Sequence, residues 1–390
     1  QKFHDHSYGF RPNRSQEHAV ALVYKNIQLS HYYYVVDIDI KGFFDNVNHG
    51  KLLKQMWAMG IRDKKLLSII SAMLKAEVAG IGFPEKGTPQ GGIISPLLSN
   101  IVLNELDWWI ASQWEDFPTR KKYATGTNYN GTENKGNKYK MLRDYTRLKE
   151  VTCVRYADDF KLFAKSYQQA QKLFYAVEGW LKGRLGLSIS PEKSKIVNLK
   201  ETYSEFLGLR IKATNHGSGH SPKYVVESHI REKSLDKIKS DMKRLIHDIE
   251  FPGHGKRAEH AAVARFNSYV IGVHNYYSMA TFICHDFHTL AFSVHKSLNA
   301  RLKKRLKTVK QVRKRKLGYV IPDYIKERYG GSEQLKFVRG YALAPIGYVK
   351  HRNPMMKRCI TNSYTPKGRE AVHKLSLIHI SEPTRQEAIS

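Results

Sequence analysis

A chain of 390 residues with 41% hydrophobic residues is long enough for two or three domains with a sizeable core, and 65 Lys plus Arg against 35 Asp plus Glu give a formal net charge of +30. That excess goes far beyond what solubility needs and has the sign that attracts phosphate backbones, so nucleic acid is the first partner to consider. There is no apolar run of about 18 residues, no secretory signal pattern, and no disulfide or zinc spacing among Cys153, Cys284 and Cys359, which argues against a spanning or secreted protein and for a soluble one in a reducing compartment.

The opening Gln1-Lys2-Phe3-His4 resembles neither an initiator nor a targeting peptide, and the chain reads as starting inside a domain. Ser7-Tyr8-Gly9-Phe10-Arg11-Pro12-Asn13-Arg14-Ser15 is a turn-rich loop whose Arg11 and Arg14 are either plain loop cations or phosphate grips. A helix through Ala19, Val20, Leu22 and Val23 follows. The β-branched and aromatic density over residues 32–40 predicts a strand in which Asp37 and Asp39 alternate with Val36, Ile38 and Ile40 and share one face. Acid in so apolar a strand is costly unless paired or metal-bound, and Asp39 lies at the strand's end.

Helices are predicted near 49–59 and 66–74. Gly87-Thr88-Pro89-Gln90-Gly91-Gly92 is a shaped loop, and Ser95-Pro96 launches a helix rich in Leu97, Leu98, Ile101, Val102 and Leu106. Residues 115–150 turn to Lys, Asn, Gly, Thr and Tyr with little periodicity, the signature of a mobile insertion. Then comes Val154-Arg155-Tyr156-Ala157-Asp158-Asp159-Phe160-Lys161-Leu162-Phe163, two short apolar strands with paired acids at the turn between them. An Asp-Asp dipeptide can be turn chemistry alone. Taken alone it is more often just that, but with a second acidic strand upstream it reads as a divalent-cation site, because adjacent carboxylates repel and oxygen-only ligation suits Mg²⁺.

An amphipathic helix is predicted over 168–185, then Pro191-Glu192-Lys193-Ser194-Lys195 at a strand and turn, then a hairpin at Phe206-Leu207-Gly208-Leu209. From 228 the pattern switches to long helices, with Leu235, Ile238, Met242, Leu245, Ile246 and Ile249 at helical spacing, and further helices over 261–277 and 290–306. Residues 301–316 hold ten Lys or Arg and no acid, either a solvated face or a polyanion contact. From 375 the sequence breaks in character and is set aside as non-native.

Asp39 on a first strand, the Gly-Thr-Pro-Gln-Gly-Gly loop, Tyr156-Ala157-Asp158-Asp159, Pro191-Glu192-Lys193 and Phe206-Leu207-Gly208 stand in the order of the reverse transcriptase palm motifs. They resemble those of group II intron-encoded reverse transcriptases, or maturases; five motifs in register are far more specific than any one. The resemblance implies an α+β right-hand polymerase: fingers and palm over 1–227, with an antiparallel sheet, helices and the insertion near 115–150. It further implies a helical thumb or maturase domain over 228–320 and a C-terminal maturase extension over 321–374, which holds Gly347-Tyr348-Val349-Lys350-His351.

It also implies roles. Asp39, Asp158 and Asp159, with the backbone carbonyl of Ile40, would hold two Mg²⁺ ions. Phe44 would exclude a ribose 2′-hydroxyl; Gln90 and Gly91 would bind the nucleotide. Tyr156, Phe206, Leu207, Gly208, Arg11 and Arg14 would contact primer or template, and Lys193 or Lys195 would protonate pyrophosphate. Asp37 and Asp45 are not carried over as ligands.

The expected partners are group II intron RNA, an RNA template with a DNA primer, and dNTPs, with no membrane, in a bacterial cytoplasm or an organelle. The family's first fingers blocks and any endonuclease region are absent, from which weak or no activity of the fragment is expected. The alternatives are a non-catalytic maturase that only binds and stabilises intron RNA, and a reverse transcriptase of the retron or defence type.

Overall fold

The computed structural model describes residues 3–354, apart from 78–81, 89–91, 128–132, 219–220, 304, 315–317 and 320. The end of the expected C-terminal extension and the stretch from 375 therefore lie outside the described residues. The chain forms two compact units that divide between Thr202 and Tyr203. The Phe206 hairpin thus belongs with the helices that follow, and the break falls earlier than the expected 228.

The first unit contains α1 (Gln16–Gln28), β1 (Tyr34–Ile38), α2 (Phe43–Asn46), α3 (His49–Ala58), α4 (Lys64–Leu74), α5 (Ser95–Gln113), α6 (Gly136–Tyr145), β2 (Thr152–Tyr156), β3 (Asp159–Ala164), α7 (Tyr167–Trp180) and β4 (Lys195–Asn198). Its four-stranded sheet runs in the order β2-β3-β1-β4, every pair antiparallel. Val36, Ile38, Phe160 and Leu162 belong to the core, together with Leu98, Ile101 and Leu106 of α5 and Ala170 and Val177 of α7. Local chemistry sets the helix starts. Asn48 accepts the Lys51 amide ahead of α3, Asp63 accepts those of Lys65 and Leu66 ahead of α4, and Ser166 accepts that of Gln169 ahead of α7. The helix predicted over 168–185 is α7 followed by a π turn, Leu181–Leu185, which ends at Gly186.

Residues 115–150 are not irregular throughout. They contain α6, whose Tyr139 stacks on Trp114 with ring centroids 6.0 Å apart. At the end of this stretch Glu150 meets Arg143 at 2.8 Å, Lys165, and the Tyr32 hydroxyl at 2.8 Å. Burial works against ionisation of this carboxyl, yet the hydrogen bonds from Arg143, Lys165 and Tyr32 prevail and hold its pKa at about 2, below the ordinary 4.5. A carboxyl depressed on folding contributes its full stability above the ordinary value and loses it as pH falls through the folded one. Glu150→Gln is therefore expected to lower the thermal midpoint at neutral pH and to flatten its decline between about pH 5 and pH 2. An unchanged acid limb would remove Glu150 from the account.

The second unit holds β5 (Ser204–Phe206), β6 (Leu209–Asn215), β7 (Tyr224–Ile230), α8 (Glu232–Glu250), α9 (Lys256–Tyr277), α10 (Ile283–Leu302), β8 (Leu306–Thr308), α11 (Val309–Lys314), α12 (Asp323–Tyr329), β9 (Lys336–Val338) and β10 (Tyr341–Leu343). The long helices expected there are present. The region is not purely helical, however: α10 stops at Leu302, and β8 joins β9 and β10 in a three-stranded sheet. Among the described residues no helix is long and apolar enough to cross a membrane.

Candidate active site

The β1 to β3 register runs from Tyr34↔Ala164 to Ile38↔Phe160. One step further on, Asp39 emerges beside Asp159 at the same end of the sheet. Asp37 and Lys161 are cross-strand partners joined by an ion pair at 2.5 Å, so alternation places Asp39 and Asp159 on the face that carries this pair. Asp37 is thus engaged by a lysine and stands one pleat back from the sheet end.

The β2 to β3 hairpin closes at Tyr156↔Asp159 over the two-residue turn Ala157-Asp158. Asp158 stands in the turn, and Asp159 opens β3 instead of completing the turn. Both are exposed, while Ala157 is buried and adopts a left-handed φ of 59°. Like charges gathered at one end of a sheet repel, and the donor atoms of the three carboxylates do not all lie within 4.8 Å of one another.

Asp39 is positioned by its backbone. Its amide donates to Ser194 Oγ at 3.1 Å, its carbonyl accepts the Ser190 amide at 2.7 Å, and the next amide but one, of Lys41, donates to the Ser188 carbonyl at 2.9 Å. This bridge pairs Ile40 with Ile189 through the neighbours of Ile40. The Ile40 carbonyl therefore points away from Ile189, toward the β3 side where the acidic turn lies. Lys193 Nζ stands 3.6 Å from the Asp39 carboxylate, whereas Lys195 lies on β4 opposite Asp37. Of the two lysines proposed to protonate pyrophosphate, Lys193 is the one at Asp39.

Beyond β1 the chain turns through α2, where Phe43 is buried in the core and Phe44 is half-buried, with ring centroids 5.2 Å apart. The Phe44 carbonyl accepts the Thr88 amide at 2.7 Å, the Gly87 amide donates to Val47, and His49 Nε2 donates to the Gly87 carbonyl at 2.7 Å. The base of the glycine loop is therefore stitched to the segment carrying Phe44. Gln90 and Gly91 lie outside the described residues.

Arg11 is not a surface cation. It is buried, and its Nη1 donates to the carbonyls of His4 at 2.5 Å and Ser7 at 2.7 Å, so it organises its own loop. Arg14 is more accessible and pairs with Asp5 at 3.0 Å. Tyr156 is partly buried, its ring 6.2 Å from that of the exposed Phe10.

Phe206, Leu207 and Gly208 lie in the second unit. Leu207 and Gly208 form the two-residue turn between β5 and β6, with φ of 49° and 77°. Both central residues are left-handed, as the twist of a tight hairpin favours, and a Cβ on Gly208 would stand 3.2 Å from the Tyr277 hydroxyl. In the same unit His229 Nδ1 lies 2.8 Å from an Asp286 oxygen and Nε2 lies 3.3 Å from Glu227, while the other Asp286 oxygen accepts the Ile230 amide. That group joins β7 to α10.

Three residues that the motifs do not include stand directly behind the acidic turn. Arg155, with no exposed surface, donates to Asp107 at 2.7 and 2.6 Å, to Asn100 Oδ1 at 2.9 Å, to Ser7 Oγ at 2.7 Å and to the Ala157 carbonyl at 2.7 Å. The available signal was compositional. Asn100 and Asp107 interrupt an apolar helix, and a lone arginine interrupts an apolar strand.

Residues 1–211 match the family described as reverse transcriptase (RNA-dependent DNA polymerase). The chain is 33% identical over 218 residues to Protein YkfC of Escherichia coli K12, covering 54% of this chain and 55% of that protein. It is 28% identical over 333 residues to the group II intron-encoded protein LtrA of Lactococcus lactis subsp. cremoris, covering 72% and 54%. It is 29% identical over 242 residues to the putative COX1/OXI3 intron 2 protein of Saccharomyces cerevisiae, covering 54% and 27%. The chain thus spans about half the length of the first two of these relatives.

Proposed function

Because the chain belongs to the reverse transcriptase (RNA-dependent DNA polymerase) family, we propose that it copies RNA into DNA and that its RNA is that of a group II intron, whose splicing it also assists. The observation that carries the catalytic half is the β1 to β3 register, whose continuation one step past Ile38↔Phe160 brings Asp39 beside Asp159 of the acidic hairpin. The donor set fits divalent cations. It consists of carboxylate oxygens and one outward carbonyl, with no nitrogen or sulfur, which is the hard-ligand pattern of Mg²⁺. Asp39, Asp158 and Asp159, with the Ile40 carbonyl, would hold two Mg²⁺ ions, which would supply a lowered pKa at the primer 3′-hydroxyl and neutralisation of the triphosphate and departing pyrophosphate.

The remaining steps belong to the chain's own residues. By register Asp39 and Asp159 are neighbours at the sheet end, and Asp158 stands in the turn that precedes Asp159. Lys193 is assigned as the proton donor to the leaving pyrophosphate, a reading supported by its position 3.6 Å from the Asp39 carboxylate. Phe44, half-buried beside Phe43 just past β1, is assigned the ring that would exclude a ribose 2′-hydroxyl. The deciding experiment is extension of a DNA primer on an RNA template with dNTPs and Mg²⁺, run with the family's first fingers blocks joined ahead of residue 1; no product from any such template would defeat the catalytic half of the reading.

The RNA-binding half is supported by the net charge and by the intron-encoded relatives. Arg301 is engaged by Glu250 at 2.7 Å, but Lys303, Arg313 and Lys314 are exposed. Replacing these three by Gln is expected to reduce the slope of log affinity for intron RNA against log salt by about one for each phosphate that is no longer neutralised. An unchanged slope assigns the run to a solvated face. By the same reading the protein works where its intron is transcribed, in a bacterial cytoplasm or an organelle.

A further inference from the structure

We propose that Arg155 is the positioning residue of the acidic turn, a buried guanidinium that ties Ala157-Asp158 to α5 and to the Ser7 segment and so sets where Asp158 and Asp159 stand. The inference rests on reading those aspartates as the metal-binding pair.

A guanidinium offers five N–H donors in a rigid fork. Five acceptors receive them here: both Asp107 oxygens, Asn100 Oδ1, Ser7 Oγ and the Ala157 carbonyl. The backbone of Arg155 is held as well, its amide donating to the His6 carbonyl at 3.0 Å and its carbonyl accepting the Tyr8 amide at 2.8 Å. Asn100 closes a ring of hydrogen bonds, because its Nδ2 donates to the Gly9 carbonyl at 2.8 Å. Gly9 then presses on the far side of the turn, where a Cβ would stand 2.5 Å from the Ala157 nitrogen, a distance that only a bare glycine tolerates.

Ala157 is thus held at its carbonyl by Arg155 and backed at its amide by Gly9, in a left-handed conformation that a non-glycine residue seldom adopts unaided. A buried ion pair is often no more stabilising than well-packed apolar side chains of the same volume. Its distinctive product here is geometric, a turn clamped from two sides one residue before Asp158. The Asp107 and Asn100 that receive the guanidinium lie on α5, which begins three residues after Gly92. The glycine loop and the acidic turn are therefore anchored to one helix.

The test is Arg155→Lys, which keeps a charge opposite Asp107 but cannot reach five acceptors. Hydrogen exchange of the peptide spanning residues 156–160 in the metal-free protein should quicken by about tenfold or more while the rest of the sheet is unchanged. In primer extension, turnover should fall on the order of 100-fold and the Mg²⁺ concentration for half-maximal rate should rise, with RNA affinity intact. A role confined to stability would instead lower the thermal midpoint, scale extension with the folded fraction, and leave turn exchange and the Mg²⁺ midpoint at wild-type values; that outcome overturns the proposal.

Should the lysine variant fold poorly, Arg155→Met with Asp107→Leu refills the site with apolar volume. A stable double variant with a fast-exchanging turn supports the proposal, and one with wild-type exchange and Mg²⁺ midpoint overturns it. Asp158→Asn in parallel separates the two ideas. Normal extension by Asp158→Asn refutes the metal assignment, whereas turn exchange still decides the part of Arg155.

Discussion

Asp158→Asn is expected to cut Mg²⁺-dependent primer extension by about 10³-fold or more while leaving RNA affinity within about twofold. The substitution is nearly isosteric, and Asp158 is exposed in the Ala157-Asp158 turn, so the surrounding packing stays as it is. Under the proposed metal assignment, what disappears is an anionic oxygen at a point where the reaction would concentrate charge on the triphosphate and the attacking hydroxyl. Several kcal/mol of transition-state stabilisation depend on such a ligand, and each 1.36 kcal/mol is about a factor of ten in rate. On the proposed reading RNA affinity comes instead from the dispersed cations, which the substitution does not touch. Extension at the wild-type rate would reject Asp158 as a ligand.

Phe44→Ala is expected to relax discrimination against ribonucleotides on the order of 100-fold, with deoxynucleotide incorporation reduced far less. Two adjacent phenylalanines have different surroundings: Phe43 is buried in the core and Phe44 is only half-buried. The bonds that fix the segment to the glycine loop use the Phe44 and Val47 carbonyls and His49, not the Phe44 ring. Truncation therefore leaves the backbone stitched in place while opening room at the ring. Competition between a dNTP and the matching rNTP at fixed primer end measures the effect, and unaltered selectivity would show that another group guards the sugar.

Much of the first unit was legible in sequence because its signals are local. Apolar alternation located β1, the break in an apolar run located the acidic hairpin, and Ser95-Pro96 located the start of α5. What escaped was tertiary. Arg11 reads as a surface cation, yet its guanidinium is turned onto carbonyls of its own loop, a fate that no composition rule distinguishes. Arg155, Asn100 and Asp107 are each ordinary polar residues until the fold brings them together.

The short strand β8 hides within a run of cations because its pairing comes from Phe337 and Val338 of β9, some 30 positions onward. Helix α6 hides for the opposite reason: its Lys and Asn content gives little amphipathic signal, and its fixed points are isolated pairings such as Tyr139 on Trp114. The unit boundary reads late in sequence because a change to helical periodicity marks where helices begin, whereas the compact body begins with the hairpin at Tyr203.

The hydrogen bond between Ser7 and Arg155 spans 148 positions of chain. Residues near the beginning of this sequence therefore wait during synthesis until β2 and the hairpin after it have left the ribosome, and loop closure over such a distance is among the slow events of folding. The acidic turn is consequently finished late, and the cations of residues 301–316 are synthesised only after it, so the turn that Arg155 holds can be set before that basic run exists.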